Sequence, residues 1–297
     1  MFDTVATLDC GGRSLRLDRP RVMGIVNVTP DSFSDGGAHA TVDAAVAHGM
    51  LLAEEGADVL DVGGESTRPG AAEVPLEEEL RRVIPVIERL AAKTSLPISV
   101  DTSKPDVMRA AVAAGAGMLN DVYALRREGA LDAAAELGVP VVLMHMLGEP
   151  RSMQDEPRYD DVVGDVHRFL AERIFSAEMA GIAKKNIVVD PGFGFGKNRD
   201  HNLALLAQLH RFTELGVPVL AGLSRKKTIG ELTGREIARD RVHGSIAAHL
   251  IAAQRGAMLL RVHDVAATVD ALKVWNAVAA VPMPRVDAKP AIRWPDE

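Results

Sequence analysis

The chain has little of several residue types, and each shortage excludes a class of protein. It contains one cysteine, Cys10, among 297 residues, so no disulfide can form within the chain, and a reducing, cytoplasmic location is predicted. Aromatic residues make up only 4% of the sequence, so the apolar content of 47% comes mainly from Ala, Val and Leu. That composition is typical of parallel sheets covered by helices. The first residues lack the basic and apolar segments of a signal peptide, so none is expected.

Long apolar runs and an excess of basic residues are also missing. No apolar run reaches the roughly 20 residues that a membrane-spanning helix needs. The formal net charge is −7, which gives no basic surface for nucleic acid or for an anionic membrane. We therefore expect small-molecule partners, with no nucleic acid and no membrane among them.

Short runs of Val, Ile and Leu alternate with stretches of helical periodicity over most of the chain. Breaks such as Gly138-Val139-Pro140 and Gly216-Val217-Pro218 stop a helix just before the next apolar run. Eight strands alternating with eight helices predict a (β/α)8 barrel, a TIM barrel, in the α/β class, with an open doubly wound sheet as the alternative. The predicted strands are 22–27, 59–63, 98–101, 118–122, 141–145, 187–190, 219–223 and 258–262. The predicted helices are 41–55, 76–92, 105–114, 128–137, 160–180, 200–215, 240–255 and 265–279.

The two ends of the chain differ from this regular pattern. Residues 4–18 alternate around Cys10-Gly11-Gly12-Arg13, which predicts a β-hairpin that plugs one end of the barrel. No linker rich in Pro or Ser interrupts residues 20–280, so a single domain is predicted over 1–280. Four prolines and mixed charges over 281–297 predict an extended or disordered, flexible tail.

Every predicted strand of the barrel ends in a polar or ionisable residue. Barrel enzymes build their active sites at this end of the strands. Any one of these residues could instead cap a helix, but eight such coincidences are implausible, so the convergence indicates one site. The polar strand-end residues are Asn27, Asp61 with Arg68 beyond it, Asp101, Asn120 with Asp121, His145, Asp190, Ser224 with Arg225 and Lys226, and Arg261 with His263.

The residue types at these ends predict the kind of ligand. Asp101, Asn120 and Asp190 offer acceptors and an amide, which suit a flat heterocycle rich in N–H donors. Loops after the last two strands of a barrel often hold phosphate, and Ser-Arg-Lys at 224–226 suits an anion. Asn27, with Asp31 and Asp35 nearby, offers hard oxygen ligands for a Mg²⁺ ion that bridges phosphates. The residues thus predict a site for a flat polar ring, a phosphate group and a metal ion.

The sequence resembles the dihydropteroate synthase family of folate biosynthesis. The resemblance extends over about residues 20–280, and the joint match of its motifs is highly specific. One departure is Lys227, which follows Ser-Arg-Lys where the family often has a small or variable residue. The matching motifs are Gly24 to Gly37, Gly56 to Pro69, Ser99-Val100-Asp101-Thr102, Leu119-Asn120-Asp121, Asp190 to Lys197, Ser224-Arg225-Lys226 and Arg261-Val262-His263-Asp264.

The resemblance implies a transferase that joins 6-hydroxymethyl-7,8-dihydropterin diphosphate to 4-aminobenzoate and releases pyrophosphate. It also implies Mg²⁺ and a homodimer. The implied pterin-binding residues are Asp101, Asn120, Asp190 and Lys226. The diphosphate would be held by Asn27 through Mg²⁺, and by Thr67, Arg261 and His263. The aminobenzoate pocket would be formed by Phe33, Ser34, Asp35, Arg68, Pro69 and Ser224.

Within this set, the residues implied to act in catalysis are Asp35, Asp101, Lys226, Arg261 and His263. Met144 and Phe195 are also expected to bind substrate, although packing in the core is an equally open interpretation of Met144. No nucleophilic side chain is required, because the aryl amine attacks by itself once it is positioned.

Three other functions compete with this one. A pterin-binding methyltransferase would share the interior Asp and Asn residues but would not need the first loop or Ser-Arg-Lys, and both are present. A Schiff-base aldolase would use Lys226, but Arg225 and Lys227 predict a hydrated, phosphate-facing patch rather than the desolvated lysine that such chemistry needs. A non-catalytic pterin-binding protein would be signalled by missing motif residues, and none is missing.

Overall fold

A computed structural model describes residues 5–28, 38–66, 71–148 and 157–281 of the chain. An antiparallel hairpin of β1 (Thr7–Cys10) and β2 (Arg13–Arg16) comes first, as predicted. Eight parallel strands then close into a barrel, which confirms the (β/α)8 prediction and excludes the open sheet. These strands are β3 (Arg21–Asn27), β4 (Val59–Gly63), β5 (Ile98–Asp101), β6 (Met118–Asp121), β7 (Val141–Met144), β8 (Ile187–Asp190), β9 (Val219–Ala221) and β10 (Ala257–Val262).

Helices surround the barrel and bury their apolar faces against the strands. No helix in the described ranges is long and apolar enough to cross a membrane. The helices are α1 (Ala38–Glu54), α2 (Leu76–Lys93), α3 (Pro105–Ala113), α4 (Ala130–Leu137), α5 (Val162–Met179), α6 (Arg199–Ala207), α7 (Lys227–Thr233), α8 (Val242–Gln254) and α9 (Val265–Ala279). Short 3₁₀ turns cover Lys184–Asn186, Leu209–Leu215 and Ala238–Arg241.

Two helical regions differ from the sequence prediction. The predicted helix over 200–215 is α6 followed by a 3₁₀ turn, because the α-helix stops at Gln208. An additional short helix, α7, begins directly after Ser224-Arg225-Lys226 and ends at Gly234, which has a φ of 69°. Glycine in the left-handed conformation frequently ends helices, so Gly234 explains why α7 stops after Thr233.

The hairpin closes the amino-terminal end of the barrel, where it was predicted to act as a plug. Leu8, Cys10, Leu15 and Leu17 pack in one buried cluster with side chains near the starts of the barrel strands. Gly117 lies so close to the hairpin that a Cβ atom there would be 2.1 Å from the carbonyl oxygen of Cys10. The amino-terminal end is therefore filled by apolar packing, and the carboxyl end is left for chemistry.

Two segments with sequence predictions lie largely outside the described residues. The predicted tail lies outside them beyond Val281, so its extended or disordered character stays a prediction. The same holds for most of the first motif, because residues 29–37 are not described.

Candidate active site

Register between neighbouring strands brings the predicted polar residues to one level at the carboxyl end of the barrel. Asp101 of β5 pairs in register with Gly63 of β4 and with Asn120 of β6. Asp190 ends β8 opposite Met144 of β7. We call Asp61, Asp101, Asn120, Asp190 and Arg261 the barrel-mouth cluster.

The centre of the barrel-mouth cluster is an arginine between two carboxylates. The Arg261 Nε donates to Asp61 Oδ2 at 2.6 Å, and its Nη2 donates to Asp101 Oδ2 at 2.6 Å. The Asp61 side chain is fully buried, and those of Asp101 and Arg261 are 11% and 23% exposed. Charge-assisted hydrogen bonds in such a poorly solvated place are strong, so the three side chains hold each other in a fixed geometry.

Asp61 was predicted to lie among the polar residues of the site but was given no role. The structure shows that it joins two other predicted site residues. Its Oδ2 accepts from both Arg261 Nε and Asn120 Nδ2, the latter at 3.1 Å. Its Oδ1 is buried and has no partner among the described residues. A lone Asp inside the apolar run Val59-Leu60-Asp61-Val62 was the available signal, because a buried carboxylate needs a buried donor.

Burial changes the acidity of the other two carboxylates. It raises the pKa of Asp101 to about 7, although the Arg261 guanidinium opposes this change. Burial also raises the pKa of Asp190, whose Oδ1 accepts from the backbone N–H of Gly192 at 2.7 Å. Both groups would therefore gain from a ligand that donates N–H groups, since such donors stabilise the charged form.

Lys226 lies beside this cluster on an aromatic support. Its Nζ is 4.2 Å from the centre of the Phe195 ring, which is a cation–π distance. Its positive charge also lowers the pKa of Asp190, against the larger effect of burial. Phe195 in turn packs on a small apolar cluster of Val122, Met144 and Met146. Phe195 and Met144 thus form an apolar wall at the barrel mouth, and the contact with substrate expected of both stays a prediction.

The loop after β9 contacts the end of β10. Ser224 Oγ accepts from the backbone N–H of His263 at 3.1 Å and is 3.0 Å from its Nδ1. Arg225 and Lys227, which were predicted to form a hydrated, phosphate-facing patch, have different surroundings, and their contact with phosphate stays a prediction. Arg225 makes a bidentate ion pair with Asp264, with distances of 3.0 and 2.5 Å. The Lys227 side chain is 90% exposed and is 3.6 Å from Glu231.

Other predicted residues fall at the edge of the described site or beyond it. Asn27 ends β3 and is partly buried, in register with Gly63. His145 packs edge-on against Phe169 in the interior. The residues that lie outside the described ranges are Phe33, Ser34, Asp35, Thr67, Arg68 and Pro69.

A cavity of about 680 Å³ opens beside the cluster, among the loops that follow β4, β5 and β6. Asp101 is the one cluster residue that lines it, together with residues such as Ser66, Lys104 and Tyr123. Lys104 in its wall is neutralised by Glu65 and Glu79, each at 2.5 Å. The cavity therefore gives access to one side of the cluster.

The chain is similar to known proteins over nearly its whole length. The sequence profile of a family described as pterin binding enzymes matches residues 23–263. The dihydropteroate synthase of Escherichia coli K12 is 54% identical over 266 residues, which are 90% of this chain and 94% of that protein.

Solved structures agree with the sequence comparison. The dihydropteroate synthase of Xanthomonas albilineans with 4-aminobenzoic acid has a TM-score of 0.90 and 74% identity, over 94% of this chain and 100% of the other. The same enzyme in complex with 7,8-dihydropteroate has a TM-score of 0.86 and 72% identity, over 93% and 100% of the two chains. The chain therefore belongs to the pterin-binding enzyme family and, within it, to the dihydropteroate synthases.

Proposed function

We propose that the barrel-mouth cluster is the pterin-binding part of a dihydropteroate synthase active site. The reaction joins 6-hydroxymethyl-7,8-dihydropterin diphosphate to 4-aminobenzoate and yields 7,8-dihydropteroate and pyrophosphate. The observation that carries the assignment is the pair of ion pairs from Arg261 to Asp61 and Asp101, with Asn120 bonded to the same carboxylate. This arrangement fixes acceptors at the bottom of an open barrel mouth.

The cluster matches the hydrogen-bonding edge of a pterin. A pterin ring carries an exocyclic amino group and ring N–H groups, all of which donate. Asp101 and Asp190 supply acceptors, and both are held by further bonds, so little ordering is needed on binding. Lys226, over the Phe195 ring, would donate to ring acceptors from the other side.

The charges of the cluster also suit the bond that breaks. When the C–O bond to pyrophosphate breaks, its electron pair leaves with the oxygen, and positive charge develops on the exocyclic methylene and the ring. Fixed carboxylates near the ring stabilise that charge. The amine nitrogen of 4-aminobenzoate then forms the C–N bond and loses a proton to solvent or to pyrophosphate. Positioning and electrostatics therefore account for the catalysis without a nucleophilic side chain.

The diphosphate would be held at the rim. The Arg261 Nε and Nη2 donate to the two carboxylates. Its Nη1 makes no hydrogen bond to a described residue, so this edge of the guanidinium group can donate to an anion. His263, fixed through Ser224, and the predicted Thr67 would add donors.

Mg²⁺ would be held at this rim mainly by the phosphates of the substrate rather than by a set of protein side chains. The described residues contain no cluster of three or more His, Cys, Asp or Glu suited to a metal ion, but Asn27 at the end of β3 offers one hard oxygen. A Mg²⁺ ion commonly takes most of its other ligands from phosphates and water, and it would neutralise charge on the departing pyrophosphate.

The described side of the aryl pocket would be formed by Phe195, Met144 and Ser224. Five residues outside the described ranges would complete the pocket: Phe33, Ser34, Asp35, Arg68 and Pro69.

We also propose a cytoplasmic homodimer. Exposed apolar side chains on the outer helices, such as Phe175 and Met179 of α5, offer surfaces that a second copy could cover.

Pterin affinity is expected to rise with pH between about 6 and 7.5. The pKa of Asp101 is raised to about 7 by burial, so the free protein holds a proton there below that value. A ligand that donates N–H groups to the carboxylate favours its charged form, so binding releases that proton and strengthens as pH rises. Calorimetry of 6-hydroxymethylpterin in buffers with different ionisation enthalpies measures the release. Proton release that persists in Asp101→Asn would assign it to another group.

The function itself is tested by pyrophosphate release. The purified protein, given pterin diphosphate and Mg²⁺, should release pyrophosphate rapidly only when 4-aminobenzoate is present. A non-catalytic pterin-binding protein would bind the pterin and release nothing. A methyltransferase or an aldolase would show no dependence on the aryl amine.

A further inference from the structure

The Gly-rich motif after β8 ends in a lysine that the mechanism above does not use. Lys197 is only 3% exposed. Among the described residues, no carboxylate lies within ion-pair distance of its ammonium group. A buried cation without a paired carboxylate destabilises a protein, so its presence calls for an explanation.

The Lys197 ammonium group has a partner for each of its three N–H bonds. Its Nζ is 2.8 Å from His145 Nδ1, 3.3 Å from the His145 carbonyl oxygen and 3.0 Å from the Phe195 carbonyl oxygen. Burial lowers the pKa of His145 to about 2, so its ring is neutral and Nδ1 can accept. Lys197 therefore ties the loop after β7 to the loop after β8.

These two loops carry the parts of the site that hold the pterin. The backbone N–H of His145 donates to the Asp190 carbonyl oxygen at 2.9 Å. The Phe195 ring, on the residue whose carbonyl Lys197 holds, supports the Lys226 ammonium group. The loops also cross closely, because a Cβ atom at Gly192 would be 1.9 Å from the His145 carbonyl oxygen. A change at Lys197 would thus be transmitted to Phe195 and Lys226.

We propose that Lys197, held by His145, is a positioning residue of the synthase reaction, which fixes Phe195 beneath Lys226 at the barrel mouth. This inference rests on the proposed function of the site. Lys197 touches no reacting atom and acts through Phe195.

The charges around Lys197 make this anchor sensitive to pH. Burial lowers the pKa of Lys197 to about 7, Asp190 opposes that change, and Lys226 adds to it. A neutral lysine has two N–H bonds instead of three, so the anchor weakens as pH rises through about 7. The other titratable or charged groups near the anchor are His145, Tyr159, His201, whose pKa is lowered by burial and by Lys197, and Arg126, which acts on His145.

The test compares Lys197→Met with two controls. Lys197→Met keeps the length of the side chain and removes the donors. Tyr159→Phe removes a second loop anchor, the Tyr159 hydroxyl that donates to the Gly196 carbonyl at 2.8 Å, without changing charge. Lys185→Met removes an exposed lysine on the 3₁₀ turn that precedes β8, at the other end of that strand. For each protein, kcat and KM for 4-aminobenzoate are measured from pH 6 to 9, together with the melting temperature.

We expect Lys197→Met to melt close to wild type, since the removal of a buried cation without a paired carboxylate offsets the loss of its hydrogen bonds. Its kcat/KM for 4-aminobenzoate at pH 6.5 should fall roughly tenfold, because small displacements in an active site are costly. The wild type, Tyr159→Phe and Lys185→Met should show a rise in KM above pH 7, and Lys197→Met should not. If Lys197→Met folds and keeps both the wild-type kcat/KM and the rise in KM, the proposal is wrong, while wild-type turnover still supports the function.

A second pair of variants covers the case in which Lys197→Met does not fold. His145→Leu removes the Nδ1 acceptor and should lower kcat/KM in the same direction. His145→Gln retains a side-chain acceptor and should stay closer to wild type. Equal activity of the two His145 variants would overturn the proposal.

Discussion

Arg261→Met should lower kcat/KM about 10³-fold and destabilise the protein by about 3–5 kcal/mol, as expected when one partner of a buried ion pair is removed. The change leaves the Asp61 and Asp101 carboxylates close together without their shared cation. Without the guanidinium, burial raises the pKa of Asp101 unopposed by Arg261, and the geometry of the cluster loosens. A stopped assay of dihydropteroate formation, with denaturant unfolding of the same samples, measures both effects.

The matched control is Arg239→Met, which removes an exposed arginine that is 3.9 Å from Asp240. It should change the free energy of unfolding by no more than about 0.5 kcal/mol. Arg261→Lys keeps a charge but cannot bridge two carboxylates, so it should recover only part of the activity. Wild-type kcat/KM in Arg261→Met would contradict the assignment of the cluster.

Asp61→Asn should have the second largest effect on activity, and it changes the site residue for which the sequence predicted no role. The neutral amide loses the charge-assisted bond with Arg261, and such bonds contribute about 1.5–3 kcal/mol. Asn120 also loses its carboxylate partner. We therefore expect kcat/KM to fall roughly 10²-fold, since Arg261, proposed to hold the diphosphate, and Asn120, proposed to hold the pterin, lose their fixed positions.

Asp58→Asn provides the control at the other end of the same strand. Asp58 pairs with Arg19 and Arg21 at 2.8 and 2.9 Å and accepts from the Val22 backbone at 2.9 Å, at the amino-terminal end of the barrel. It should lower stability and leave kcat/KM within about twofold of wild type, because that end of a barrel serves stability. Equal losses of activity in the two variants would mean that Asp61 acts only through folding.

The fold was predictable because its signals are local. Apolar runs bounded by Gly and Pro place the eight strands within a few residues, and the alternation of strands and helices leaves few topologies. The short helix α7 was missed because seven residues give too little periodicity to recognise. The composition of the barrel-mouth cluster was largely predictable, since its members lie on strands whose carboxyl ends meet, but no role was predicted for Asp61.

The partners within the site were not predictable. Whether Arg261 faces an anion or two carboxylates depends on the side chains across the barrel, and Asp61 lies 200 residues earlier in the chain. Arg225 shows the same limit, because its ion pair with Asp264 depends on how the loops after β9 and β10 meet. Lys197 could be recognised as part of a motif, but its burial against His145 could not.

The central claim is that the carboxylate cluster binds the pterin ring while the rim binds the diphosphate. The most direct measurement is calorimetric titration of wild type and Asp101→Asn with two separate probes, 6-hydroxymethylpterin and pyrophosphate with Mg²⁺. The claim predicts that the variant binds the pterin at least tenfold more weakly, as expected for a lost charged hydrogen bond, and binds pyrophosphate within about twofold of wild type. Equal loss of affinity for both probes, or unchanged affinity for the pterin, would contradict it.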